Sequence, residues 1–103
     1  MSYTFVDTLT KYRHSLPDSG YIKIGHRNGN HIKPPPILSD VDPDHCEVRI
    51  TKEGVYVRDM RSREGTYIGM DRLSTDFVEL KPGTLLRVGK SLGFKLEKNG
   101  DSI

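Results

Sequence analysis

Apolar and polar residues alternate along several short stretches of this chain, and the clearest is 46–51. Cys46, Val48 and Ile50 fall on one side, with Glu47, Arg49 and Thr51 on the other, which is the period of a half-buried β-strand. Lys52, Glu53 and Gly54 then turn the chain into a second alternating run at 55–58. The pair predicts a hairpin with Gly54 supplying the left-handed residue that such turns favour. Phe94 and Leu96 against Lys95 and Glu97 repeat the pattern near the C-terminus. Strand-favouring residues also fill 4–9, 11–15, 21–25, 31–33, 66–68, 77–80 and 85–88. Ten glycines and six prolines leave few windows long enough for a helix. Short strands at this spacing predict an all-β fold, an antiparallel sandwich whose functional residues sit on loops at one end.

Composition narrows the picture. A chain of 103 residues is expected to form one domain, here spanning 1–98 with 99–103 as a flexible end, and to build a core without disulfide or metal. Hydrophobic residues make up 34% and charged residues 29%, which suits a thin β core better than a helical bundle. No run is long enough to span a membrane, and no segment resembles a signal peptide, so an intracellular protein, cytoplasmic or nuclear, is expected. Cys46 is the single cysteine; an internal disulfide is impossible and a small core side chain is the natural role. The formal charge is only +2, with 16 basic residues dispersed among 14 acidic ones. That balance predicts a protein or peptide partner, with no nucleic acid and no membrane expected.

The stretch Asp59 to Gly69, DMRSREGTYIG, stands out, because a Gly-Thr pair on a polar turn joins two β-patterned runs. It is the third of three ordered landmarks. The first is Ile24-Gly25-His26-Arg27; the second is Val41-Asp42-Pro43-Asp44-His45-Cys46; the third contains Ser62-Arg63-Glu64-Gly65-Thr66. This order resembles the forkhead-associated domain, which reads Gly-Arg after an early strand, Ser-x-x-His before a middle one and Asn-Gly-Thr before a later one. Asp59 and the segment Leu80 to Gly89 extend the likeness, so that it covers about residues 20–98. The fold it implies is a sandwich of about eleven strands, and the activity it implies is the binding of phosphothreonine peptides by loops at one end. A phosphate carries about −1.5 to −2 charges, so its site needs cationic forks, hydroxyls and backbone amides.

The likeness assigns residues to roles and also shows where this chain departs from the family. Gly25, His45, Gly65 and Thr66 match the scaffold positions that hold the loops. His26 stands where the phosphate-gripping arginine is expected, with Arg27 one place on. Asp42 replaces the phosphate-binding serine, Pro43 the arginine that commonly follows, and Glu64 the asparagine that clamps the peptide backbone. A carboxylate about 5 Å from a phosphate costs roughly 3 kcal/mol per unit charge at an effective dielectric near 20, while micromolar binding is worth only about 8 kcal/mol. The expected ligand rim is therefore His26, Arg27, Asp42, Arg61, Arg63 and Glu64. Asp40 and Asp44 add acidity, and Arg63 is the cation best placed to help a phosphate site, with Lys33 a further contributor.

Three readings stand open at this point. The first is a non-enzymatic protein-interaction module of forkhead-associated type that works independently of phosphate. The second is a phosphothreonine reader with a non-standard site built on Arg27 and Arg63. The third is a structural or self-associating domain of a larger protein, and the oligomeric state is open.

Other motifs carry less. Gly83 to Ser91 has five residues between its glycines where a phosphate-binding loop has four, and its interior is strand-like. The Asp40, Asp42, Asp44 series begins like a calcium loop but has His45 at the turn glycine. His45 and Cys46 are strand neighbours facing opposite ways, which rules out a thiol-protease pair. His14, His26, His31 and His45 lack metal-ligand spacing, and no catalytic residue or cofactor is expected. Pro34, Pro35 and Pro36 form a stiff extended connector.

Overall fold

The computed structural model describes residues 2–100. Ten strands form in chain order: β1 Ser2–Asp7, β2 Arg13–Ser15, β3 Gly20–Ile24, β4 Cys46–Thr51, β5 Gly54–Asp59, β6 Thr66–Ile68, β7 Asp71–Arg72, β8 Val78–Leu80, β9 Leu85–Val88 and β10 Leu92–Asn99. They build two antiparallel sheets, one of six strands in the order β2-β1-β10-β9-β6-β7 and one of four in the order β3-β4-β5-β8. No helix among the described residues is long and apolar enough to cross a membrane.

The period-2 pattern explains which faces meet. Cys46, Val48 and Ile50 of β4 lie beside Val55 and Val57 of β5, with Ile22 and Ile24 of β3 across from them. Phe5, Leu86, Leu92, Phe94 and Leu96 come from the other sheet, and all of these side chains are buried. The Phe5 and Phe94 rings pack at 5.4 Å between centroids. Each such side chain contributes about 2 kcal/mol through removal of apolar area from water, so these two interior faces hold the sandwich shut. Cys46 lies in this core, and burial drives its thiol pKa upward, keeping the group protonated and inert.

Three strand expectations are corrected by local chemistry. The segment 31–33 is reduced to one parallel bridge between Ile32 and Ile24, because the prolines that follow lack the amide protons to extend a ladder. The first strand stops at Asp7, whose Oδ1 accepts the Leu9 and Thr10 amides and begins a turn; the second starts only at Arg13. The two-residue β7 carries no strand-favouring side chain and was absent from the pattern. At the C-terminus β10 runs to Asn99, which pairs with Ser2; of the segment 99–103 expected to be flexible, 101–103 lie outside the described residues.

Candidate functional site

Loops from both sheets meet beyond the end of β3, in front of β4, between β5 and β6, and between β9 and β10. Their meeting begins with a glycine. A Cβ on Gly25 would stand 2.2 Å from the Pro43 carbonyl oxygen and 2.8 Å from that of Asp42, so only glycine lets these backbones touch. The closeness allows the His26 amide to donate to Asp42 O at 3.2 Å and the Arg27 amide to donate to Pro43 O at 2.9 Å. The Asn30 side-chain amide adds a bond to Pro43 O at 2.7 Å.

His45 ties the second loop to the third. Its ring is fully buried. Nδ1 accepts the Asp42 amide at 3.0 Å, which puts the ring proton on Nε2, and Nε2 donates to Gly65 O at 2.7 Å. Asp59 organises the third loop from below. Its carboxylate accepts the Ser62 amide at 2.9 Å, the Ser62 hydroxyl at 2.6 Å and the Thr66 hydroxyl at 2.8 Å, while Ser62 Oγ accepts the Gly65 amide at 2.9 Å. Gly65 has a φ of 89°, a conformation that would strain any other residue. The scaffold residues Gly25, His45, Gly65 and Thr66 thus sit together under the rim.

On that rim, positive and negative side chains pair across loops. Asp42 Oδ1 accepts Arg63 Nε at 2.8 Å and Asp42 Oδ2 accepts the Arg63 backbone amide at 3.0 Å. The same guanidinium also donates to Ser39 O at 3.1 Å. Arg27 Nε donates to Asp44 Oδ2 at 2.7 Å, and Asn30 donates to the other oxygen at 3.2 Å. Glu64 lies 3.8 Å from the Lys90 ammonium, and Asp40 Oδ2 accepts the Lys90 amide at 2.6 Å.

The carboxyl groups respond to these neighbours. Burial alone would raise the Asp42 pKa, but the Arg63 side chain, amide and charge together outweigh it and hold the group below its ordinary value. The Arg27 hydrogen bond lowers Asp44, and the Lys90 amide lowers Asp40. In return, Asp42 raises the Arg63 guanidinium. Solvent-exposed pairs of this kind contribute little to stability. Their effect is to fix how the loops sit relative to one another.

The expected rim residues separate into two groups. Arg63, Asp42, Arg27 and Glu64 take part in the cross-loop pairing. His26 is turned aside, with Nε2 donating to Leu38 O at 2.8 Å, and Lys33 donates to Asn28 at 2.7 Å. Arg61 adopts a left-handed φ of 57° and is exposed, with no ion pair among the described residues. Because β3 ends at Ile24, strict side-chain alternation does not govern positions 26 and 27, and Arg27 is free to reach Asp44. Sequence reasoning gave no role to Lys90, Asn30, Ser62 or Arg72. Ser62 had a usable signal, since an aspartate three places before a serine can accept that residue's amide and hydroxyl in a local turn. Arg72, which reaches Ser62 O at 3.4 Å and Arg63 O at 3.3 Å, had none.

The same arrangement of sheets and loops occurs in known proteins. The FHA domain of CT664 protein from Chlamydia trachomatis superimposes with a TM-score of 0.86 at 12% identity, covering 97% of this chain and 100% of that one. The FHA domain of an Arabidopsis thaliana hypothetical protein gives 0.82 at 18% identity, over 99% and 90% of the two chains. The N-terminal FHA domain of S. cerevisiae Rad53p, in complex with a phosphothreonine peptide, gives 0.80 at 13% identity over 96% and 94%. No curated protein matches by sequence. The FHA domain family model matches residues 22–89, more than half of the chain, and with the fold in agreement the chain belongs to the FHA domain family of protein-interaction modules.

Proposed function

We propose that this FHA domain docks a partner protein through its loop rim without reading phosphate. One observation carries this reading: Asp42 accepts both Nε and the backbone amide of Arg63, so the donors that would face a phosphate already face a carboxylate of the same chain. Arg27 is similarly occupied by Asp44. A phosphate arriving at the rim has to displace Asp42 and then stay beside it, and roughly 3 kcal/mol of repulsion per unit charge at 5 Å and an effective dielectric near 20 removes a large part of a micromolar affinity of about 8 kcal/mol. The rim presents four cations, Arg27, Arg61, Arg63 and Lys90, against four carboxylates, Asp40, Asp42, Asp44 and Glu64. Such a surface suits a polar segment of little net charge, with Arg61 as the most available anchor.

Calorimetric titration with one peptide library, phosphorylated on threonine and unphosphorylated, tests the reading. Preference for the phosphorylated library is expected to stay below about tenfold. The double variant Asp42→Ser, Glu64→Asn frees Arg63 and is expected to raise that preference to about tenfold or more. A wild-type preference above about tenfold that disappears in Arg63→Ala refutes the proposal and favours phosphothreonine binding through Arg63.

A further inference from the structure

The outer face of the six-stranded sheet adjoins the loop rim at one end, where Arg72 donates to Ser62 O and Arg63 O and Arg87 donates to Gly89 O, and the strand register defines what it displays. Arg72, Tyr67, Arg87 and Gly93 form one row across β7, β6, β9 and β10, and Leu85, Lys95, Val6 and Arg13 form the next across β9, β10, β1 and β2. Thr66, Leu86, Phe94 and Phe5 point the other way, into the core. The face therefore carries four cations, Arg13, Arg72, Arg87 and Lys95, and one carboxylate, Glu97, which is bound to Arg13 at 2.7 Å. Its charge exceeds the +2 of the whole chain. The outer face of the four-stranded sheet shows no such excess: Lys23, Arg49 and Arg58 are set against Glu47 and Glu79.

The relief and chemistry of this face are equally particular. Gly93 ends the first row and is covered by its neighbours: a Cβ there would be 3.0 Å from Thr8 Oγ1 and 3.3 Å from Leu85 Cδ1, so Thr8 and Leu85 close over the backbone at this point. Leu85 is 46% exposed. Arg87 is laid over the Tyr67 ring at 4.1 Å, with Arg72 also beside that ring at 6.0 Å, which holds both guanidiniums in place before any ligand arrives. Among the described residues Lys95 has no ion pair.

We infer that this sheet face binds an acidic, partly apolar protein segment without using the rim side chains Arg27, Arg61 and Arg63. Charge complementarity selects an acidic partner. Leu85 and Val6, one on each side of Lys95, select a segment with apolar side chains beside its carboxylates.

The probe is a synthetic peptide alternating Glu and Leu, with the Gln-for-Glu peptide as control, titrated into the isotopically labelled chain and followed by NMR. Amide shifts are expected at Leu85, Arg87, Gly93 and Lys95, weakening as salt rises and absent with the control. Lys95→Glu, at an exposed position, is expected to weaken binding about fivefold while leaving the spectrum dispersed. Leu85→Gln is expected to weaken it as well without a change of charge, and Arg63→Ala to leave it unchanged. Shifts confined to the rim, equal binding of the Gln peptide, indifference to both face substitutions, or tighter binding of a DNA duplex than of the acidic peptide would each overturn the inference.

Discussion

The loop rim and the outer face of the six-stranded sheet hold comparable numbers of cations, yet one is nearly neutral and the other positive. At the rim, Arg27, Arg63 and Lys90 each lie beside a carboxylate, so the fields cancel within a few ångströms. On the sheet, Arg72 on β7, Arg87 on β9 and Lys95 on β10 stand with no carboxylate between them, and their fields add. The difference follows from the backbone beneath. Loops are free to bring residues distant in sequence into pairs, as with Asp42 and Arg63. A hydrogen-bonded ladder fixes its side chains at set intervals, so its charges stay as displayed. An anionic guest therefore meets near neutrality at the loop rim and a positive field on the sheet.

If the rim depends on buried polar chemistry and the face on the ladder, the two are separable by mutation. The largest effect is expected from Asp59→Ala, which leaves the Ser62 amide, the Ser62 hydroxyl and the Thr66 hydroxyl without their acceptor in a buried site. We expect a loss of about 4 kcal/mol in denaturant unfolding. Hydrogen exchange is expected to quicken at 60–66 well before it does in β9 and β10. Equal quickening in both regions would show that rim and face are one cooperative unit and remove the contrast.

Gly25→Ala strikes the rim from the other side. The new methyl group overlaps the Pro43 carbonyl oxygen at 2.2 Å, and the chain has to part between β3 and the loop before β4. The expected cost is about 3 kcal/mol, with the His26 and Arg27 amides losing protection from exchange. Binding of the acidic peptide to the sheet face is expected to persist at temperatures where the variant stays folded. Loss of that binding would tie the face to the loops.

These two variants also mark how far the sequence could be read. Alternation located β4, β5 and β10 within a few residues, because each has one face in the core and one in water, and that contrast is written in consecutive side chains. The scaffold landmarks Gly25, His45, Gly65 and Thr66 were legible through the family resemblance, and Gly65 also through the left-handed turn it serves. The pairing of Asp42 with Arg63 and of Arg27 with Asp44 was not. Those partners are 21 and 17 residues apart, and nothing in either residue's neighbourhood names the other. Asp42 and Glu64 were noticed as negative charges in the place of an anion's ligands, but that Asp42 itself serves as an internal anion for Arg63 required the loops to be placed. The short β7 escaped for want of length, since two residues carry no period, and at 31–33 the expected strand is only the bridge between Ile32 and Ile24.

The smallest effect concerns acid, and it tests whether Asp42 holds the rim as a charged group. Arg63 keeps the folded carboxyl below its ordinary value of 3.8. In the interval between the two values the unfolded chain binds the proton and the folded chain does not, so stability rises with pH there; the contribution is complete above the ordinary value and is lost as pH falls through the folded one. Replacing Asp42 by Asn removes the titration while retaining an oxygen that can accept from the Arg63 amide. Stability measured against pH is expected to fall less steeply below about 4 in Asp42→Asn than in the parent, with Asp40 and Asp44, also lowered, accounting for the slope that remains. Peptide binding on the sheet face should decline as the acidic peptide itself protonates. An unchanged slope in Asp42→Asn would mean that the carboxylate is not engaged by Arg63 in solution, and the rim would then have a guanidinium to offer an anion after all.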